Sequence, residues 1–246
     1  MKGSGQAPSW QIFSVADQAV YIDFGEYIDP QINKRVTELA MLIKENPLAG
    51  VTQAIPTYRS LMVNYNSLMI RQQAVINYLQ HLLDQPCRTS PPVRSWHIPV
   101  CYGGSYGIDL TALAERHNLS PQQVIDLHIN SRYQVYMIGF MPGFAYLGGL
   151  HEALHTPRRD SPRLKVPAGS ISIGGMQTAV GSVEAPSGWH LIGRTPFRSF
   201  LPSREPPVLL QTGDAVNFYV IDDEEYAALS AQPDYVPQWS WQDADI

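Results

Sequence analysis

The residues with the greatest potential for chemistry lie between positions 139 and 196. This segment contains the runs GFMPGFAYLGGL, TPRRDSPRLKVPAGSISIGGMQTAV and PSGWHLIGRTPF, which are dense in glycine, proline and arginine. Glycine lets backbone amides approach a ligand closely, and arginine binds carboxylate or phosphate oxygens through two parallel hydrogen bonds. The segment therefore indicates a site for an anionic ligand or a partner. The alternative is a barrel with glycines at its corners and arginines that only face solvent.

A zinc-protease motif is present in the sequence, but the residues around it do not support zinc binding. Residues 151–155 read HEALH, which matches the H-E-x-x-H pattern in which one helix face presents two histidines to zinc. Two glycines at 148–149 and Pro157 leave barely two helical turns, no convincing third ligand follows, and the basic residues nearby would repel a cation. We therefore predict no metal site in this chain and interpret the segment as a polar turn of helix on the surface.

Other signatures of nucleotide or acyl-transfer chemistry are missing from the sequence. It contains no G-x-x-x-x-G-K-[ST] phosphate loop, no G-x-S-x-G nucleophile elbow and no lysine in a biotin-attachment hairpin. Residues 103–107 read GGSYG, but they lack the lysine and the long helix of a phosphate loop, so we predict a turn. If the protein works with ATP or biotin, a partner supplies part of that site.

Charge is distributed in blocks along the 246 residues. The net charge is −5, yet residues 158–204 carry a surplus of five positive charges and residues 205–246 contain nine acids and no base. Such blocks can steer anionic ligands or dock to each other. The acidic balance, without an RRM, KH or zinc-finger signature, argues against nucleic-acid binding. We predict an acidic tail at 222–246, which Trp239 and Trp241 could pin to a surface.

The composition is that of an ordinary globular protein. Apolar residues make up 44% and charged residues 16%, and no uncharged apolar run approaches the 18 residues that indicate a membrane span. The N-terminus lacks the apolar core of a secretory signal, so we expect a cytoplasmic protein without membrane contact. Cys87 and Cys101 are interpreted as two reduced thiols.

The first 88 residues alternate strand and helix signals in the order ββαββα. Asp29 and Pro30 begin the first helix, Asn46-Pro47 ends it, and a second helix is predicted from Leu68 to Asp84. Strands are predicted at 12–15, 19–24, 51–58 and 61–65. The pattern predicts an α+β protein whose N-terminal domain, at 9–88, is a small ferredoxin-like α/β sandwich with helices on one face of a sheet.

A proline-rich linker is predicted at residues 89–96, because proline cannot continue a helix or pair in a central strand. Beyond it, Ser120 and Pro121 begin a short helix. From residue 133 onward the segments are short, β-rich and separated by glycine and proline. This spacing predicts a closed or strongly curved β-barrel at 97–221.

The motifs of the 139–196 segment resemble those of one known family. The motifs in question are GFMPGFAYLGGL…TPRRDSPRLKVPAGSISIGGMQT followed by GW.LIGRTP, together with HIPVCYGGSYGIDL at 97–110 and FGEYIDPQINKRV at 24–36. They are similar to the motifs of the family that comprises the B-type subunit of 5-oxoprolinase (PxpB), KipI and allophanate hydrolase subunit 1. The resemblance covers almost the whole chain. It implies an N-terminal α+β domain, a C-terminal cyclophilin-like β-barrel and a partner of the KipA or subunit-C type. Such a pair resembles the two halves of a urea-carboxylase carboxyltransferase domain.

The sequence departs from the family pattern between Ala179 and Ser187. QTAVGSVEAPSGW stands where the family run is close to QTGIYP..SPGGW, so that Gly181-Ser182 replaces a Tyr-Pro pair. Ala179 and Ser187 replace glycines. These changes leave the exact substrate open, whereas the intact PRR, VPAG, IGG, GW and GRTP elements support the fold.

The resemblance implies a non-autonomous subunit of an ATP-dependent 5-oxoprolinase, which opens 5-oxoproline to L-glutamate together with subunit-C-type and subunit-A-type partners. ATP, with Mg²⁺, is expected to be held by the complex. Opening a lactam requires cations and preorganised donors around developing negative charge. Arg158, Arg159 and Arg194 are the candidate catalytic residues. The candidate binding residues are aromatic walls, orienting polar groups and further cations: Phe144, Tyr146, Trp189, Gln177, Thr178, Thr195, Arg163 and Lys165.

The sequence does not identify a general base. His97, His128 and His190 could serve, or each could be structural. Catalysis shared with a partner subunit would remove the need for a base in this chain.

Two other functions stay open from the sequence. A KipI-like protein would use the same glycine-, proline- and arginine-rich surface to inhibit a sensor histidine kinase, without a substrate. A subunit similar to a carboxyltransferase or an allophanate hydrolase would act on a small amide, and carboxyl transfer would need a biotin carrier elsewhere. Fold analogy alone does not choose among these functions.

Overall fold

The chain divides into two compact units, Met1–Pro91 and Pro92–Ile246. The structure, a computed structural model, describes residues 10–86 and 92–243. Residue 9, Cys87, the first residues of the predicted linker (89–91) and the end of the predicted tail (244–246) lie outside the described residues.

The first unit is a four-stranded antiparallel sheet with two helices. Its elements are β1 (Gln11–Val15), β2 (Ala19–Asp23), α1 (Pro30–Glu45), β3 (Val51–Pro56), β4 (Ser60–Tyr65) and α2 (Gln72–Leu83). The sheet order is β1-β2-β4-β3, and every pairing is antiparallel. The ferredoxin-like prediction is not confirmed, because that fold follows the order βαββαβ and these elements follow ββαββα.

Local capping explains where the helices of this unit begin. The Asp29 carboxylate accepts hydrogen bonds from the amides of Gln31 (2.7 Å) and Ile32 (3.2 Å), and proline occupies the first turn of α1. Helix α2 begins at Gln72 rather than at Leu68, since the Asn66 side chain accepts from the Leu68 amide and closes a separate turn.

The second unit contains a closed β-barrel. Its strands are β5 (Val93–Tyr102), β6 (Tyr133–Ile138), β7 (Ala145–Gly148), β8 (Arg163–Val166), β9 (Ser170–Gly174), β10 (Gln177–Val180), β11 (Ala185–Ser187), β12 (His190–Arg194), β13 (Ala215–Val220) and β14 (Trp239–Gln242). Its helices are α3 (Leu110–Arg116), α4 (Pro121–Ile129) and α5 (Asp223–Ser230).

Seven of these strands close on one another in the order β12-β9-β10-β7-β6-β13-β5, because β5 also pairs with β12. The predicted α+β class and the barrel are thus confirmed, and the finer cyclophilin-like assignment stays a prediction. The barrel interior is filled by fully buried aliphatic side chains, among them Ile98, Val135, Leu147, Ile173 and Ile192. Strands β8 and β11 form a separate pair.

Two predicted segments carry more structure than expected. Strand β5 begins at Val93, inside the predicted linker, because Trp96 is buried and its indole N–H donates to Asp214 Oδ2 (2.9 Å). The described part of the predicted tail contains α5 and β14, and β14 pairs with β5 so that Trp239 lies opposite Trp96. None of the helices in the described chain combines the length and the apolar content that crossing a bilayer takes.

Candidate active site

Three aromatic side chains predicted as walls come together on the barrel. The ring of Phe144 lies 4.7 Å from that of Tyr146, and Tyr146 lies 5.8 Å from Trp189 in an edge-to-face arrangement. Trp189 is buried and packs directly over Gly174, where any Cβ would overlap the indole. The glycine of β9 is therefore what lets the indole lie against the sheet.

A row of paired residues crosses the sheet beside these rings, with the small side chains of Ala179 and Ser172 at its centre. Tyr146 of β7 lies opposite Ala179 of β10, Ala179 lies opposite Ser172 of β9, and Ser172 lies opposite Leu191 of β12. Directly opposite residues point to the same face of a sheet. The next residue along β10, Thr178, lies opposite core residues, so this row faces away from the barrel interior.

Arg158 brings positive charge to the aromatic cluster. Its guanidinium carbon lies 5.8 Å from the centre of the Trp189 ring, which is a cation–π distance, and its side chain is exposed. Burial raises the pKa of the Tyr146 phenol, and the Arg158 charge offsets part of that shift. Tyr146 is therefore a neutral hydrogen-bonding group beside a cation.

Arg194 lies one row further along the same outer face. It is opposite Ser170 of β9, whose carbonyl oxygen accepts from the Gly181 amide of the adjacent loop. Its guanidinium carbon lies 5.7 Å from the centre of the Tyr106 ring, and its Nε is buried without a hydrogen-bond partner among the described residues. Buried donors of this kind in folded proteins are usually satisfied by an ordered water or a bound ion.

Arg159 and Arg163, in contrast, are occupied by a carboxylate. Arg163 binds Asp109 through two hydrogen bonds of 2.6 and 2.9 Å, and Arg159 reaches the same group at 3.3 Å. The Leu191 amide also donates to Asp109 (2.8 Å). Burial raises the pKa of Asp109, but these donors outweigh burial and hold it below its ordinary value. We call this group the Asp109 cluster.

Thr178 belongs to a buried polar chain inside the barrel. Its hydroxyl donates to the Ser172 carbonyl (3.0 Å) and therefore accepts from Nε2 of His128 (3.0 Å). The other ring nitrogen of His128, Nδ1, accepts from the Tyr102 hydroxyl (2.8 Å). Burial lowers the pKa of His128 to about 3, so this histidine is neutral with both nitrogens engaged. The structure thus places Thr178 and His128 away from the aromatic cluster.

The other predicted binding residues are dispersed. Thr195 is buried, and its hydroxyl accepts from the Phe197 amide (3.2 Å). Lys165 is exposed and lies 3.6 Å from Glu184. Gln177, at the start of β10, lies opposite Gly174 and therefore close to Trp189.

The histidines have separate surroundings. His190 follows Trp189 directly, but it lies opposite the core residue Ile173, so the alternation of the strand turns its side chain away from the outer face that carries the aromatic cluster. Its Nε2 lies 2.9 Å from the Pro157 carbonyl. Residues 152–154 form only one turn of 3-10 helix, and His155 Nε2 lies 3.1 Å from the Leu150 carbonyl. Within residues 10–86 and 92–243, no three His, Cys, Asp or Glu side chains come together as a metal site.

Sequence reasoning missed two residues of this region. Asp109 was not selected, although it stands in the GIDL run, because nothing local shows that it meets arginines 50 and 54 positions later. Phe140 is 60% exposed, adopts φ of +68° and packs edge-to-face on Phe144 at 5.6 Å. A strained, exposed aromatic residue is typical of a functional loop. In the sequence, the nearby Gly139 and Pro142 are the features that could have indicated such a loop.

The glycine-rich residues 103–107 form a tight turn. The amides of Tyr106 and Gly107 both donate to the Gly103 carbonyl, and the Gly103 amide donates to the Ile192 carbonyl. These amides are therefore already used within the chain and do not form a cradle for a phosphate.

Comparison with known proteins gives the following matches. The family model described as "Carboxyltransferase domain, subdomain C and D" matches residues 10–210. The chain is 40% identical over 230 residues to the B-type subunit of 5-oxoprolinase from Bacillus subtilis (strain 168), with 89% of this chain and 96% of that protein covered. It is also 40% identical over 206 residues to the B-type subunit of 5-oxoprolinase from Escherichia coli O157:H7, with 84% and 94% covered.

A solved structure with a related sequence shares the fold. The crystal structure of TTHA0988 matches with a TM-score of 0.75 at 32% identity, over 87% of this chain. This chain spans only 41% of that longer chain.

Proposed function

Because the chain belongs to the family of carboxyltransferase-domain subdomains C and D, and its resemblance to the B-type subunit of 5-oxoprolinase is confirmed, we propose that it is a subunit of an ATP-dependent 5-oxoprolinase. The observation that carries the proposal is the alignment along 96% of such a 5-oxoprolinase subunit. In the proposed reaction, water adds to the lactam carbonyl carbon, the ring C–N bond breaks and the nitrogen takes a proton, which gives L-glutamate. ATP hydrolysis to ADP and phosphate drives this step.

The aromatic cluster and its arginines suit 5-oxoproline chemically. The methylene edge of the five-membered ring would pack against Phe144, Tyr146 and Trp189, and its carboxylate would pair with Arg158 or Arg194. Arg194, whose Nε has no hydrogen-bond partner among the described residues, is proposed to stabilise negative charge on the lactam oxygen. Gln177 would orient the amide. We propose that the proton-transfer group comes from a partner subunit.

The remaining predicted residues fit supporting roles in this proposal. Arg159 and Arg163 would fix the loop that carries Arg158, since both are already paired with the Asp109 carboxylate. Thr178 and Thr195 would maintain the strands through their buried hydrogen bonds. Lys165 would contribute only a long-range positive potential.

The turn at residues 103–107 does not favour ATP binding by this chain. The amides of Gly103, Tyr106 and Gly107 are used internally, and no group of three or more His, Cys, Asp or Glu side chains in the described part of the chain could hold a metal ion. We therefore derive no step through ATP here and propose that another subunit of the complex holds it with Mg²⁺. Subunit-C-type and subunit-A-type partners and a cytoplasmic location, where ATP is available, complete the proposal.

The experiment is a measurement of 5-oxoproline-dependent ATP hydrolysis by this chain mixed with its subunit-A-type and subunit-C-type partners, each omitted in turn. The proposal predicts turnover to glutamate only when all are present. Turnover by the partners without this chain would overturn it. An assembled complex that leaves 5-oxoproline unchanged would show that the Ala179–Ser187 segment serves another substrate.

The family description favours one second candidate, which is carboxyl transfer to a small amide. That reaction requires a biotinylated carrier protein and bicarbonate. The two candidates are separated by repeating the assay without biotin carrier and bicarbonate, because only the lactam-opening reaction continues.

A further inference from the structure

A groove of about 1020 Å³ lies on the second unit and shares no lining residue with the aromatic cluster. It is bordered by the middle of β5, the end of β13 and the chain that runs from α5 towards β14. Its walls include His97, Tyr219, Glu225, Asp234, Tyr235 and Val236. The proposed reaction does not use this groove.

Two tyrosines form one wall of the groove. Tyr219 and Tyr235 both line it, and burial, with Tyr219 close by, raises the pKa of Tyr235, so its phenol is neutral at physiological pH. Tyr219 is 40% exposed, and Val236 beside it is exposed to the same extent. Tyrosine ring faces attract cations, and an aliphatic surface next to them matches the methylene stem of a lysine or arginine.

The charge around the groove is negative. Glu225 and Asp234 line it, and none of its lining residues in the described chain is a lysine or arginine. Arg204, which does not line the groove, interacts electrostatically with Asp234 and offsets part of that negative charge, whereas Glu225 has no such cationic neighbour among the lining residues. Residues 205–246 as a whole contain nine acids and no base, so the local potential favours a cation.

The size and the neighbours of the groove indicate a protein ligand. Its volume is at the upper end of the range for small-molecule sites, and a single amine would leave most of it empty. Trp239 is 45% exposed and Trp241 is 64% exposed on the adjacent strand β14. Exposed tryptophan and tyrosine side chains are enriched where proteins bind proteins.

We propose that this groove binds a lysine- or arginine-bearing segment of a second protein. The charged head of the basic residue lies between Glu225 and Asp234, and its stem packs on Tyr219 and Val236. The exposed tryptophans of β14 contact the same partner beside the groove.

The test is an NMR titration of the isotope-labelled full chain with the peptide acetyl-Arg-Gly-Arg-Gly-Arg-amide. We expect the backbone amides of residues 229–238 to shift in a saturable way. Glu225→Gln should weaken binding about threefold to fivefold, because one partly exposed ion pair is lost. The matched control is Glu224→Gln, which removes the same charge from α5 at a residue that does not line the groove.

The outcomes separate specific binding from general attraction to an acidic surface. Equal weakening by Glu224→Gln and Glu225→Gln would overturn the proposal, and so would equal binding of acetyl-Glu-Gly-Glu-Gly-Glu-amide. The absence of any shift at residues 229–238 up to about 1 mM basic peptide would also overturn it. Tyr219→Ala provides a second variant, which should weaken binding without a change of charge.

Discussion

The arginines of the Asp109 cluster and the pair Arg158 and Arg194, which we call the open arginine face, come from the same basic stretch of sequence. The first group is paired with a carboxylate, and the second group lies beside aromatic rings. Arg159 and Arg163 are paired with a buried carboxylate that lies 50 and 54 positions earlier in the chain. The exposed Arg158 lies over the Trp189 indole, and the Nε of Arg194 is buried without a partner among the described residues. The first pair fixes the loop, and the second pair is the one that the proposal assigns to anion binding.

This difference shows that a basic segment cannot be interpreted from its arginine count. A charge that is already satisfied by the protein contributes to stability, whereas one left unsatisfied is available to a ligand. The two groups should therefore respond differently to substitution. Changes in the Asp109 cluster should lower stability first, and changes on the open face should lower turnover first.

The largest effect is expected for Asp109→Ala. Removing this carboxylate leaves Arg163 and the Leu191 amide without their partner in a buried setting, which should cost about 3–5 kcal/mol of unfolding free energy. Urea denaturation measures this change. The control is Asp160→Ala, an exposed acid in the same loop, for which we expect a change within about 0.5 kcal/mol. Similar losses for both variants would contradict the assignment.

A smaller loss is expected for Gly174→Ala, because the added methyl would displace the Trp189 indole. Overpacking of this kind should cost about 1–3 kcal/mol and should alter the tryptophan fluorescence. We also expect lower turnover of 5-oxoproline, since the aromatic wall moves. Gly188→Ala is the matched control, because a methyl there makes only ordinary contacts. An unchanged fluorescence spectrum in Gly174→Ala would show that the indole does not depend on this glycine.

The free energy of unfolding should depend on pH through His128, which is buried inside the barrel. His128 is neutral in the folded protein with a pKa of about 3, whereas the unfolded chain takes up a proton near pH 6.5. The unfolded state binds more protons as the pH falls, so this group should lower stability by about 2 kcal/mol between pH 7.5 and pH 5. His128→Gln should reduce the pH dependence by that amount in urea denaturation. An identical pH profile in the variant would contradict the buried, neutral assignment.

Much of the fold could be predicted because its signals are local. The starts of the helices at Asp29-Pro30 and at Ser120-Pro121 each depend on a few neighbouring residues, and the structure contains both. Closure of the barrel also followed from short strands separated by glycine and proline. Strand β14 was missed since its pairing with β5 joins residues more than 140 positions apart, and a sequence pattern does not contain that contact.

The candidate site could be predicted only as a set of residue types. Phe144, Tyr146 and Trp189 lie together in the structure, and their role as the wall of a substrate site stays a prediction. The threonines did not join it, because period-two alternation along β10 turns Thr178 inward and Ala179 outward, and one residue of register decides the face.

The most direct test of the account compares Arg194→Ala with Arg198→Ala in the assembled complex. Arg198 belongs to the same basic stretch, but it is exposed and lies outside the proposed site. For 5-oxoproline-dependent ATP hydrolysis, we predict that Arg194→Ala lowers kcat/KM by about 10²-fold or more. Arg198→Ala should stay within about twofold, and both variants should unfold within about 1 kcal/mol of the parent. Full turnover by Arg194→Ala, or an equal loss in both variants, would contradict the account.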